Sequence, residues 1–121
     1  KAAIEHMYYF QLPHVLSEVK RALRPGGVFV VLTPDISHNL IRFWDSFSHC
    51  SPYTCRSLGI CLRVFGLKDV KTTSLIPLPS TWRSRWMRLL ADATVWLPIP
   101  RSWGAWVRWS NERQAVAWGY K

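Results

Sequence analysis

Arg24-Pro25-Gly26-Gly27-Val28-Phe29-Val30-Val31-Leu32-Thr33-Pro34 is the stretch whose reading decides the fold. Pro25 fixes a backbone angle suited to the second position of a tight turn, and Gly26 follows at the third, where a positive φ is required. Five apolar residues without alternation come next, at 28–32. A run of that kind predicts a strand covered on both faces, as in the sheet of an α/β fold. Thr33-Pro34 ends it.

Working outward, Pro13 suits the first turn of a helix, where its missing N–H is not needed. Val15, Leu16, Val19, Ala22 and Leu23 recur at helical spacing and make one apolar face over 13–23. Lys20, Arg21 and Arg24 favour the negative end of that helix dipole. Residues 1–9 stay open between a short helical turn and the lip of a pocket. On the other side, a helix is predicted over 37–47 with Leu40, Ile41 and Trp44 inward, and residues 48–53 read as a loop. Thr54 is a candidate cap for a helix that turns Leu58, Cys61, Leu62 and Phe65 to one face, with Gly66 to end it. Strands are predicted at 69–75 and 114–120. Alternating helices and strands argue for an α/β layer structure.

Composition narrows the classes. The chain has 121 residues, of which 49% are hydrophobic and 19% charged, enough for one domain with one modest core. No apolar stretch approaches the length of a membrane span, and the N-terminus lacks the apolar core of a secretion signal. The formal charge is +9, but the basic residues are spread from Lys1 to Lys121. Charge alone does not make a nucleic-acid interface, and none is expected. Cys50, Cys55 and Cys61 are odd in number without a paired spacing, and read as reduced thiols of a cytoplasmic protein.

Several residues carry donors suited to chemistry. Asp35 and His38 follow the mouth of the 28–32 strand, where open α/β sheets place ligands; loop capping is the alternative for both. The donors His38, His49, Cys50 and Cys55 match no compact zinc spacing, so no metal site is expected. Pro25-Gly26-Gly27 leads into a strand rather than out of one, which argues against a phosphate loop. Residues 77–110 hold six tryptophans among arginines. A helix is predicted over 81–96, with Trp82, Trp86, Leu89, Ala93 and Trp96 on one side. Three roles stay open for this segment: core, membrane-surface helix, or a lid or self-association surface.

Glu5-His6-Met7, then 14–27, resembles the class I S-adenosylmethionine-dependent methyltransferases. Thr33-Pro34-Asp35, His49, Pro52-Tyr53-Thr54, Ser57-Leu58 and Phe65-Gly66-Leu67 extend the resemblance. It implies the C-terminal half of a doubly wound sheet, from the fifth strand onward: a single α/β domain over 1–121, three-layered and partial, ending in an antiparallel hairpin of 69–75 and 114–120. The 77–110 segment is then a Trp- and Arg-rich helical insert. By the same resemblance Glu5, His6 and Asp35 lie on the S-adenosylmethionine side, with His6 the candidate base because its free pKa is near neutral. His38, His49 and Tyr53 lie on the side of a small-molecule methyl acceptor. The glycine-rich loop and ribose-binding acid of that family do not occur in these residues. A truncated form, inactive in isolation, is therefore expected, or else a non-catalytic α/β remnant. A half-sheet with apolar faces also predicts a homodimer or higher oligomer.

Overall fold

The computed structural model describes residues 3–94 and 112–121, with the side chains of Asn39 and Ile41 left aside. Among these residues the chain is mixed α/β, with one small antiparallel sheet.

A single 3-10 turn, Ile4–His6, precedes helix α1, Leu12–Ala22. Pro13 lies in the first turn of α1 and the basic Lys20 and Arg21 in its last, as the helix dipole favours. The turn after it forms as the sequence dictates. Gly27 N donates to Arg24 O at 2.8 Å, and Gly26 sits at φ 74°. Strand β1 then runs Val28–Pro34.

Asp35 caps helix α2, Ile36–Phe43, by accepting the Ser37 backbone N–H. Thr54 caps helix α3, Cys55–Val64, in a reciprocal box with Ser57. Leu58 and Leu62 are wholly buried beneath α3, and Gly66 takes φ 77° just past its end. Strand β2 covers Lys68–Leu75 and strand β3 Gln114–Tyr120.

The strand order is β1-β3-β2, and both pairings are antiparallel. Residues opposite one another share a face, so Phe29, Val31 and Thr33 lie with Gly119, Ala117 and Ala115. That face meets the helices: Val31, Ala115 and Ala117 join Leu12, Leu16, Leu58, Leu62 and Tyr53 in one core. Gly59 of α3 is pressed so closely on Thr72 that a Cβ would lie 2.7 Å from its methyl.

The opposite face corrects the expectation of a strand covered on both sides. Val28 and Val30 are 47% and 52% exposed, and Tyr120 of the neighbouring strand is 40% exposed. Among the described residues β1 is an edge strand, paired with β3 alone. The three-layer arrangement is therefore not what these residues form. The apolar run lacks alternation because its second face is as hydrophobic as the first, not because both are covered here.

Two helix expectations also change. In α2, Leu40 and Trp44 are exposed, and Phe43 is the residue driven inward, at 1% exposure; the Ile41 side chain lies outside the described residues. The helix expected over 81–96 is two helices, α4, Pro79–Arg83, and α5, Arg85–Thr94. Ser84 interrupts them with extended backbone angles, and its Oγ accepts the Met87 backbone N–H. Serine does this at helix starts, so it breaks the apolar period rather than continuing it. Trp82 and Trp86 are 62% and 77% exposed, which removes them from the core. Trp96, Trp103, Trp106 and Trp109 lie outside the described residues. No described helix is long and apolar enough to cross a membrane.

Candidate functional site

The Ile4–His6 turn and loop 48–53 are stitched together along their backbones. The carbonyl of Glu5 accepts the N–H groups of Cys50, at 2.8 Å, and Ser51, at 3.1 Å. Ser51 Oγ donates to the Met7 carbonyl at 2.6 Å. This brings His49 against His6, with ring centroids 4.8 Å apart. Each imidazole is held by one nitrogen. His6 Nδ1 lies 3.1 Å from the Ser48 carbonyl, and His49 Nδ1 lies 2.8 Å from the Phe43 carbonyl. A carbonyl only accepts, so both Nδ1 atoms carry a proton, and in the neutral imidazole each Nε2 then carries the lone pair.

Glu5 is the third member. Its side chain is 3% exposed, and its Oε1 lies 3.7 Å from His6 Nε2. Its second oxygen, Oε2, is buried without a hydrogen-bond partner. Glu5 is thus neither a helix cap nor a surface carboxylate, the two plainer readings of its sequence position.

Asp35 stands at the end of β1 in a second, adjoining group. Its Oδ1 accepts from Ser37 N at 3.0 Å and Ser37 Oγ at 2.6 Å. His38 Nδ1 lies 3.6 Å from Asp35 Oδ2, and Cys55 Sγ donates to the same oxygen at 3.5 Å. Burial, together with the Asp35 carboxylate, pushes the Cys55 thiol up to about 11. Tyr53 links the two groups. Its backbone bridges to Asp35, while its side chain is buried in the core. Burial and the nearby Cys61 raise the Tyr53 phenol above its usual range.

All six sequence-derived residues therefore lie along one seam, in two neighbouring groups that cut across their expected sides. His49, assigned to the acceptor side, joins Glu5 and His6; Asp35, assigned to the cofactor side, joins His38. No spacing rule signals the contact of His6 with the distant His49, because the loop geometry that closes it is set by backbone hydrogen bonds. A second feature falls mostly in the Trp- and Arg-rich segment that the sequence singles out, although its shape is not legible there. A cleft of about 510 Å³ is lined by Arg83, Arg85, Arg88 and Arg113 beside Trp82 and Asp92, and Arg113 pairs with Asp92.

No family model matches the chain, and no curated protein matches it. Among solved structures, it is similar to a SAM dependent methyltransferase from Archaeoglobus fulgidus, with a TM-score of 0.64 at 16% identity. The match covers 100% of this chain and 57% of that one. The chain thus has a methyltransferase-like fold and spans little more than half the length of that neighbour.

Proposed function

We propose that these residues serve S-adenosylmethionine-dependent methyl transfer as one portion of a methyltransferase fold, and that alone they are inactive. The observation that carries the reading is the whole-chain structural likeness to a methyltransferase of which it covers 57%. Among the described residues the open edge of β1 and its exposed second face agree with it: the edge offers unpaired backbone N–H and C=O groups and the face offers apolar side chains, and further chain would cover both.

In this reading Glu5, His6 and Asp35 face the cofactor, and His38, His49 and Tyr53 face a small-molecule acceptor. His6 is the group suited to take the acceptor's proton: its ring is partly exposed and its Nε2 carries the lone pair. Orientation and exclusion of water would supply much of the remaining rate. The glycine-rich loop that would hold the cofactor is absent from the 121 residues. Titration calorimetry with S-adenosylmethionine is the test. No saturable binding is expected; micromolar binding lost in Glu5→Gln and Asp35→Asn would overturn the inactive-alone reading. An in-frame glycine-rich loop encoded upstream of Lys1 is expected for the methyltransferase portion, and finding none would count against it.

The second reading is a non-catalytic oligomeric domain. The exposed Val28, Val30 and Tyr120 on one sheet face favour it. Light scattering should then give a multiple of 14.1 kDa, and Val30→Lys should return the monomer. A 14.1 kDa monomer at micromolar concentration would exclude it.

A further inference from the structure

We propose that Glu5, His6 and His49 form a binding site for a divalent transition-metal ion, with zinc the best fit. One donor atom from each of the three lies within 4.8 Å of the others. The proposal goes beyond methyl transfer and stands without it.

Three independent features converge. Glu5 presents a buried carboxylate whose Oε2 has no hydrogen-bond partner. A carboxylate taken out of water without donors is costly, and a cation is the partner that removes the cost. The two histidines are then prepared for ligation. Each gives its Nδ1 proton to a backbone carbonyl, that of Ser48 or Phe43, which fixes the tautomer and leaves Nε2 to bind. Metal-ligating histidines are characteristically anchored in this way through the nitrogen that does not touch the metal. Finally, the scaffold is firm on one side and adjustable on the other. His49 packs on the buried ring of Phe43 at 4.6 Å, whereas the side chain of His6 is 42% exposed.

Donor chemistry selects the ion. Two imidazoles and one carboxylate suit zinc and its neighbours, and disfavour magnesium and calcium, which take oxygen ligands. Ligands on a tetrahedral zinc lie about 3.4 Å apart. The Glu5 Oε1 to His6 Nε2 separation of 3.7 Å is close to that. The donor atoms lie within 4.8 Å of one another, so the wider separations must contract by a small side-chain adjustment when an ion binds. Three protein ligands with one partly exposed leave the fourth position to water or another oxygen donor. While the ion is bound, the His6 Nε2 is a ligand and not a base, so metal binding and proton abstraction by His6 exclude one another.

Zinc titration of the purified protein, followed by calorimetry and repeated with cobalt as a visible reporter, tests the site. One ion per chain is expected, with affinity on the order of micromolar and a cobalt spectrum of four-coordinate type. His6→Ala and His49→Ala should each weaken binding at least tenfold, comparable to or beyond the loss from removing an outer partner. His14→Gln, in the first turn of α1 and outside the cluster, should leave it unchanged. Glu5→Gln should act like the histidine variants if it folds; His6→Ala, at an exposed ring, keeps the test decisive if it does not. Equal zinc binding in the parent and both histidine variants would overturn the proposal. So would a sulfur-to-cobalt charge-transfer band, which would put Cys50 in place of the proposed ligands. Calorimetry with S-adenosylmethionine reads the methyl-transfer proposal separately, so either can fail alone.

Discussion

The backbone carbonyl of Glu5 accepts the N–H of Cys50 at 2.8 Å, which ties the first described turn to the loop that carries His49. The bond links an early turn to a mid-chain loop without any side chain taking part. It is why two histidines remote in sequence come to lie against each other.

Ser51→Ala should loosen this tie. Loss of the bond from Ser51 Oγ to the Met7 carbonyl should cost about 1 kcal/mol, read by urea unfolding. The more specific sign is local: hydrogen exchange at the Cys50 amide should speed up more than exchange in α3. An unchanged Cys50 amide would show that the loop is held by other contacts.

The turn before β1 separates two glycine effects. Gly26→Ala should cost about 1–2 kcal/mol, because φ 74° is strained for any residue with a Cβ although the space around it is open. Gly27→Ala should cost more, since its Cβ would lie 2.9 Å from the Arg24 carbonyl oxygen. Thermal melts that rank the two the other way would contradict this account of the turn.

For α3, Thr54→Ala should lose about 1 kcal/mol with the cap. Leu62→Ala, at a site with no exposed surface, should lose about 2–5 kcal/mol. Denaturant midpoints for the two variants give the comparison. Similar small losses in both would mean that α3 is not packed on the sheet as described.

Much of this architecture is legible in the amino-acid sequence. Pro25-Gly26, the Thr54 cap, the Leu58 and Leu62 face and the edges of β3 all follow from local backbone chemistry and helical spacing. The elements that depart from expectation share a cause. Periodicity reports which residues are apolar, not which apolar face is covered. Val28 and Val30 therefore read as buried and Leu40 and Trp44 as inward, while core remains one of the open roles for Trp82 and Trp86. Ser84 escapes notice because one residue interrupts a period only weakly, yet as a helix cap it splits α4 from α5. At the site, the residue types and the Glu5-His6 pair are visible, whereas the approach of His49 is not, because it depends on carbonyls that every sequence supplies.

Cys55 should be a sluggish thiol. With its pKa pushed up to about 11, only about 0.1% is thiolate at pH 8, and alkylation should run roughly twenty-fold slower than for a free cysteine after allowing for the greater intrinsic reactivity of its thiolate. Asp35→Asn removes a charge that raises that pKa, so the rate at pH 8 should increase. Mass-resolved labelling of each cysteine reads the result, and an Asp35→Asn rate no faster than the parent would exclude the carboxylate as a cause.

The same shift has a consequence for stability. Below pH 9 the Cys55 thiol is protonated folded or unfolded; above it the unfolded chain loses the proton first, so this contribution falls away as pH rises from 9 to 11. Tyr53 and Cys61 are raised in the same direction. Melting temperatures should therefore decline over that interval, and Cys55→Ser should flatten the decline. A parent and variant that fall in parallel would refute the assignment.

The strand order carries a consequence for how the chain comes to be folded. β3 lies between β1 and β2 and is the last of the three to be synthesised. Until residues 114–120 leave the ribosome, neither earlier strand has its neighbour, and the apolar run at 28–32 waits unpaired. At translation rates of about 5–20 residues per second that interval lasts several seconds. Through that interval the chain carries its most apolar strand without a partner, and only the arrival of β3 turns two separate strands into a sheet.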